Sequence, residues 1–192
     1  MSAHQPDPLL KIAFIGSHGV GKTTLCFGLA ARLKARDVSV ELVREIARRC
    51  PLPINEETGI AAQSWILHNQ IADELAAAAG YPVVICDRSV LDNYVYMLLA
   101  AGPQTALEPL LDSWLDSYGL LVNVPIVDAP SADGIRATDP SFQEAIDRRL
   151  QQEVADRGLQ VLDLDAADRD GWLDAVEDEV WQRLSPPQLR LL

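Results

Sequence analysis

Leu9-Leu10-Lys11-Ile12-Ala13-Phe14-Ile15-Gly16-Ser17-His18-Gly19-Val20-Gly21-Lys22-Thr23-Thr24 joins an apolar run to a glycine-rich turn. Leu9 to Ile15 is short and nearly all apolar, the pattern of a strand buried on both faces of a parallel sheet. Gly16 to Thr23 then fits G-x-x-x-x-G-K-[ST] at every fixed position. From Lys22 to Arg36, Leu25, Cys26, Leu29 and Leu33 recur at helical spacing. A strand, a phosphate loop and a helix therefore follow one another. The glycines let the backbone turn sharply and aim successive N–H groups at phosphate oxygens. The helix beginning near Lys22 adds its positive end. Gly16, Ser17, His18, Gly19, Val20 and Gly21 are thus expected around a nucleoside triphosphate, His18 and Val20 through backbone alone. Lys22 is expected on the β- and γ-phosphates and the Thr23 hydroxyl on Mg²⁺. Ser17 and Thr24 are supporting groups. The alternative, a glycine-rich turn that binds nothing, leaves the agreement of strand, motif and helix unexplained.

Outward from this unit, strand and helix alternate. Strands are expected at Ser39–Val43, Pro82–Asp87, Leu120–Val124 and Leu159–Leu164. Helices are expected at about Thr58–Ala79, Leu91–Ala101, Thr105–Ser117, Phe142–Asp156 and Gly171–Leu184. The long helix places Ile60, Leu67, Ile71 and Leu75 on one side and ends at Gly80. Ile46–Cys50 is a short piece stopped by Pro51 and Pro53. The alternation implies an α/β fold, a parallel sheet with helices on both faces. One domain is expected over residues 9–185, between a loose tail at 1–8 and another at 186–192.

Bulk properties exclude several classes. A net charge of −12 with only three lysines, Lys11, Lys22 and Lys34, disfavours nucleic acid as a partner. A local basic cleft for a small phosphorylated ligand remains compatible with that charge. No apolar run reaches the roughly 18 residues of a membrane span. Residues 1–8 lack the form of a secretory signal, so the expected location is the cytoplasm. Cys26, Cys50 and Cys86 are far apart in apolar contexts and read as buried structural thiols.

Two further places carry chemistry. Val83-Val84-Ile85-Cys86-Asp87 ends with a carboxylate at the carboxyl edge of the sheet, where ligands bind in open α/β folds. Asp87 there can hold Mg²⁺, directly or through water, and Arg88 suits a phosphate or an acceptor group. The plainer reading has Ser89 or Asp87 capping the next helix and Arg88 solvated. Glu45 follows the second strand and so reaches the same edge. It is expected to orient or deprotonate an acceptor hydroxyl, against the alternative of a surface ion pair with Arg44 or Arg48.

With these residues in view, the chain resembles the P-loop kinases of nucleosides and nucleotides. It is similar above all to the ribosylnicotinamide kinase-like group, the kinase domain of the bifunctional NAD-biosynthesis regulator and related small AAA-type ATP-binding proteins. Gly16–Thr23, Arg44-Glu45-Ile46-Ala47-Arg48, Asp87-Arg88-Ser89 and Asp133-Gly134-Ile135-Arg136, with Arg148 and Arg149 on the following helix, carry the likeness. The resemblance implies a three-layer P-loop NTPase fold, a five-stranded parallel sheet flanked by helices with a lid over about 128–150. It also implies ATP and Mg²⁺ as cofactors, Glu45 at the acceptor hydroxyl, and Arg136, Arg148 and Arg149 over the phosphates. Asp87-Arg88-Ser89 is similar as well to the Asp/Glu-Arg-Ser stretch of deoxynucleoside kinases, so the likeness does not choose among nucleosides.

Two functions remain. One is a kinase moving the γ-phosphoryl of ATP to a hydroxyl of a nucleoside-like molecule. The other is a nucleotide-dependent binding or regulatory protein, which would need no acceptor-side set such as Glu45, Asp87 and Arg88. A GTPase would carry Asn-Lys-x-Asp, and no lysine follows Lys34. A kinase of polynucleotide ends is disfavoured by the charge. Gln63, Trp65, His68, Asn69 and Gln70 on the long helix are expected near the acceptor, with core packing as the alternative for Trp65 and solvation or capping for His68 and Gln70. In the long polar segment Asp128–Pro140, Arg136 either meets the γ-phosphate on closure or simply pairs with its acidic neighbours.

Overall fold

In a computed structural model that describes residues 9–54, 58–128 and 139–184, the opening apolar run is strand β1, Leu10–Ile15, buried throughout. The expected tails, Gly134 and Arg136 lie outside these residues. Four more strands, β2 (Val40–Val43), β3 (Val83–Asp87), β4 (Leu120–Asn123) and β5 (Val161–Asp163), pair in parallel in the order β2-β3-β1-β4-β5. Helices α1 (Lys22–Lys34), α2 (Ile60–Gly80), α3 (Val90–Ala101), α4 (Glu108–Leu115), α5 (Pro140–Asp156) and α6 (Trp172–Leu184) cover the sheet.

The side-chain period of two along β1 splits the core. Ile12 and Phe14 join Leu25, Leu29 and Leu33 of α1 and Trp172, Val176 and Val180 of α6 on one face. Ala13 and Ile15 join residues of α2, α3, α4 and α5 on the other. The three-layer fold is therefore as expected. Register aligns Phe14 with Asp87 and Ile15 with Asn123. The loop after β1, the end of β3 and the segment after β2 thus share one edge. No helix of the described residues is long and apolar enough to cross a membrane.

Several boundaries and faces differ from expectation. Helix α5 starts at Pro140, not Phe142, because Asp139 caps it by accepting from the Ser141 amide. α4 is shorter than expected, and β5 is only three residues long. α2 runs through Gly80, and Tyr81 caps it. Its inner face was misread: Ile60 and Leu75 are 49% and 58% exposed, while Gln63, Gln70 and Glu74 are buried. The reason is polar satisfaction. The Glu74 carboxylate accepts from Lys11 Nζ (2.9 Å), Trp114 Nε1 (2.7 Å), Tyr118 OH (2.7 Å) and Gln70 Nε2 (2.8 Å). Lys11, a cation inside a buried strand, is held by this pair and by the Trp114 and Tyr118 rings, each 4.5 Å away. Cys26 and Cys86 are buried as expected, but Cys50 is only half-buried, and all three are free thiols.

Candidate active site

The loop after β1 owes its shape to Gly16, Gly19 and Gly21, at φ of +139°, +81° and +101°. A Cβ on Gly16 would also stand 2.6 Å from the Val124 carbonyl oxygen. Gly21 caps α1 with no side-chain hydrogen bond, so the first amides of α1 are left to an outside acceptor. Lys22 is buried inside the loop, its ammonium donating to the carbonyls of Gly16 (2.8 Å) and Ser17. Burial, then the neighbouring Arg88 charge, lowers its pKa to about 7 against the opposing pull of Asp92, Asp87 and Glu45. The Thr23 hydroxyl donates to Asp87 Oδ2 at 2.6 Å, which puts two hard oxygen groups together at the loop's end. Ser17 is buried and donates to the Gln143 carbonyl, Thr24 is exposed on the cleft wall, and His18 Nδ1 lies 3.2 Å from Tyr96 OH.

Two residues that sequence reasoning missed hold this loop. Asp92 Oδ1 accepts from the Gly16 amide (3.0 Å), while its Oδ2 accepts from the Ser89 amide and hydroxyl. Ser89 and Asp92 form a capping box on α3, so Ser89 caps as the plainer reading had it. The Ser89-x-x-Asp92 spacing was a visible signal for the box, though not for its second partner. From α5, Gln143 Nε2 donates to the His18 carbonyl at 2.8 Å.

Arg88 is not solvated. It is 5% exposed, its Nε donates to Glu45 Oε1 at 2.8 Å, and its guanidinium lies 5.2 Å from the Tyr96 ring. Burial works to lower its pKa, but Tyr96, Glu45 and Asp92 hold it above the ordinary arginine value, so it stays charged. Its φ of +94° is costly for a side chain with a Cβ, and Gln70 Nε2 donates to its carbonyl at 3.2 Å. Glu45 is buried too, and its Oε2 accepts from Arg48 Nε at 2.9 Å. The ion pair with Arg48 therefore exists, but Glu45 is not a surface residue.

A cleft of about 300 Å³ is lined by residues 19–24, Glu45, Arg48, Asp87 and Arg169. A smaller cavity of about 50 Å³ adjoins it, with Gln63, Arg88, Asn93 and Tyr96 on its polar side and Ile54 and Ile66 on its apolar side. Of the α2 residues expected there, only Gln63 lines it. Gln70 stands behind as a support, Trp65 is half-buried, His68 is exposed and bonded to the Ser64 carbonyl, and Asn69 bonds the Trp65 carbonyl. Arg148 is exposed, Arg149 pairs with Glu153 at 2.5 Å, and neither lines either space. Asn93 and Tyr96 were missed, though one and two helical turns beyond the Ser89 cap is where a helix rooted at this edge places side chains.

The loop, the acidic end of β3 and the sheet order define a three-layer α/β fold of the P-loop class. A model of the AAA domain matches residues 11–170, and the chain belongs to that family. It is 27% identical over 202 residues to a thymidylate kinase of Psychrobacter sp. (strain PRwf-1), covering 91% of this chain and 96% of that one. Among solved structures, deoxyadenosine kinase from M. mycoides with bound dATP shares the fold at a TM-score of 0.62 and 17% identity, over 89% of this chain and 98% of that one. NadR protein in complex with NR gives a TM-score of 0.73 at 22% identity, over 95% of this chain but 54% of that one.

Proposed function

We propose that this chain binds ATP with Mg²⁺ and transfers the γ-phosphoryl to a hydroxyl of a nucleoside-like small molecule. One observation carries the reading: the buried carboxylate of Glu45 lines both the phosphate cleft and the neighbouring cavity. Phosphoryl transfer needs an in-line nucleophile more than a strong base, and a carboxylate at the shared wall suits that task. At about 50 Å³ the second cavity must widen to admit a nucleoside, but it brings amides on Gln63 and Asn93, a phenol on Tyr96 and aliphatic surface from Ile54 and Ile66 to the Glu45 wall. Relatives named for thymidylate and deoxyadenosine support a nucleoside-like class, and a ribosylnicotinamide-like compound belongs in it.

On the donor side, Lys22 and the α1 amides would hold the phosphates, and Thr23 with Asp87 would hold the metal. Bound there, Mg²⁺ supplies neutralisation of charge on the β- and γ-phosphate oxygens. Triphosphate affinity is therefore expected to fall by tenfold or more when EDTA removes Mg²⁺, read by titration. Equal affinities would remove the metal role from Thr23 and Asp87. Arg136, Arg148 and Arg149 are assigned to a lid over the phosphates on the sequence likeness alone, and the latter two line neither space.

The direct test is ADP release with ATP alone and with a panel of nucleosides and nucleoside monophosphates. Release that depends on one acceptor supports the kinase. Slow release indifferent to every acceptor would replace it with a nucleotide-dependent binding protein.

A further inference from the structure

Among the described residues, only Glu45 and Arg48 line both the phosphate cleft and the acceptor cavity. The two spaces belong to donor and acceptor, so their shared wall is where the phosphoryl group passes. Glu45 brings a carboxylate to that wall. Arg48 brings a permanent cation.

We propose that Arg48 is a catalytic residue whose guanidinium lies against the transferring phosphoryl group. This rests on the phosphoryl-transfer reading above. In the step, the acceptor oxygen forms a bond to the γ-phosphorus. The bond from that phosphorus to the β,γ-bridging oxygen breaks, and ADP leaves with the electron pair. The acceptor proton passes to the Glu45 carboxylate and then to solvent. Arg48 neither gains nor loses a proton. It stabilises charge spread over the three equatorial oxygens, the role arginines play in many phosphoryl transfers.

The local structure aims Arg48 there. After β2 the chain makes a single 3-10 turn, Ile46–Arg49, pinned by the buried Ile46. Arg48 and Arg49 are adjacent but diverge. Arg49 Nη2 pairs with Asp73 Oδ2 of α2 at 2.5 Å, away from the clefts, whereas Arg48 Nε pairs with Glu45 Oε2 on the shared wall. Its side chain is 40% exposed, against 6% for Arg88 on the opposite carboxylate oxygen. Arg88 is thus the buried anchor of Glu45, and Arg48 is the partner that opens onto the cleft. Arg169 also lines the cleft but not the acceptor cavity, and it is tied to Asp128. It stands on the donor side only.

The test uses the whole chain and measures affinity for Mg²⁺-ADP with and without aluminium fluoride, a planar mimic of the phosphoryl in transfer. Aluminium fluoride should tighten ADP binding to the wild type. Arg48→Ala should lose tenfold or more of that tightening while affinity for ADP alone changes less than about twofold. Arg48→Lys should recover part of it, and Arg49→Ala should keep all of it. The proposal is overturned if Arg48→Ala keeps the full tightening, if it loses ADP and mimic affinity equally, or if the wild type shows no tightening. Unchanged melting curves of these half-exposed variants separate the effect from misfolding. Failure of the kinase reading shows elsewhere, as ADP release indifferent to acceptors. A chain that passes the phosphoryl to water still needs the cation, so the two failures are distinguishable.

Discussion

Lys22→Ala will lower turnover at saturating ATP by about 100-fold or more, the usual scale for removing a positioned charge from a transition state. The ammonium is already inside the loop, held by the Gly16 and Ser17 carbonyls. On the proposed reading it exchanges those carbonyls for phosphate oxygens when nucleotide binds. Near-normal turnover by the variant would remove the phosphate role from the loop. The same lysine sets a pH dependence whose sign can be worked out. In the free protein its pKa is about 7 instead of 10.5. Against phosphate oxygens the charged form is favoured, so the pKa rises on binding. Between these values the complex holds one more proton than the free protein, and binding takes up a proton. Triphosphate affinity should therefore fall as pH rises above about 7, by up to about tenfold per unit, and level off below it. Calorimetry in two buffers of different ionisation enthalpy reads the uptake directly, and Lys22→Arg should abolish it. A flat affinity across that range would mean the lysine is charged in the free protein.

What could be read from the sequence follows from how local each feature is. β1 and β3 are buried on both faces, so their runs are apolar without interruption and visible. β5 is an edge strand, half-buried or exposed, and its ends were misjudged accordingly. The phosphate loop is contiguous and therefore spelled out. Its supports are not: Asp92 reaches Gly16 across 76 positions and Ser17 reaches Gln143 across 126. α2 shows the other limit. Its buried stripe contains Gln63, Gln70 and Glu74, and the last two owe their burial to partners on β1, α4 and the β3–α3 turn that lie elsewhere in the chain. The acceptor side was legible only as residue types at one sheet edge. That Glu45 sits between two arginines, with Arg88 in a strained backbone conformation, needed the fold.

Glu45→Gln should then do two separable things. It removes the carboxylate proposed to take the acceptor proton, and kcat should drop by about 100-fold, within the usual range for a positioned general base. It also leaves the buried Arg88 guanidinium without its anion, since Asp92 Oδ1 is 3.9 Å from Arg88 Nη1 and already serves Gly16. An unpaired buried charge costs about 3–5 kcal/mol, lessened here by the oxygen that glutamine retains and by the Tyr96 ring. The melting temperature should fall with kcat, so the single variant alone cannot separate catalysis from folding. The double variant Glu45→Gln/Arg88→Met does. Replacing a buried ion pair by groups without charge is often neutral for stability. The double variant should melt close to the wild type, bind ATP within about threefold of it through the untouched Lys22 and Thr23, and remain as slow as Glu45→Gln. Recovery of kcat together with stability would show that Glu45 only neutralises Arg88, and the proton would need another acceptor.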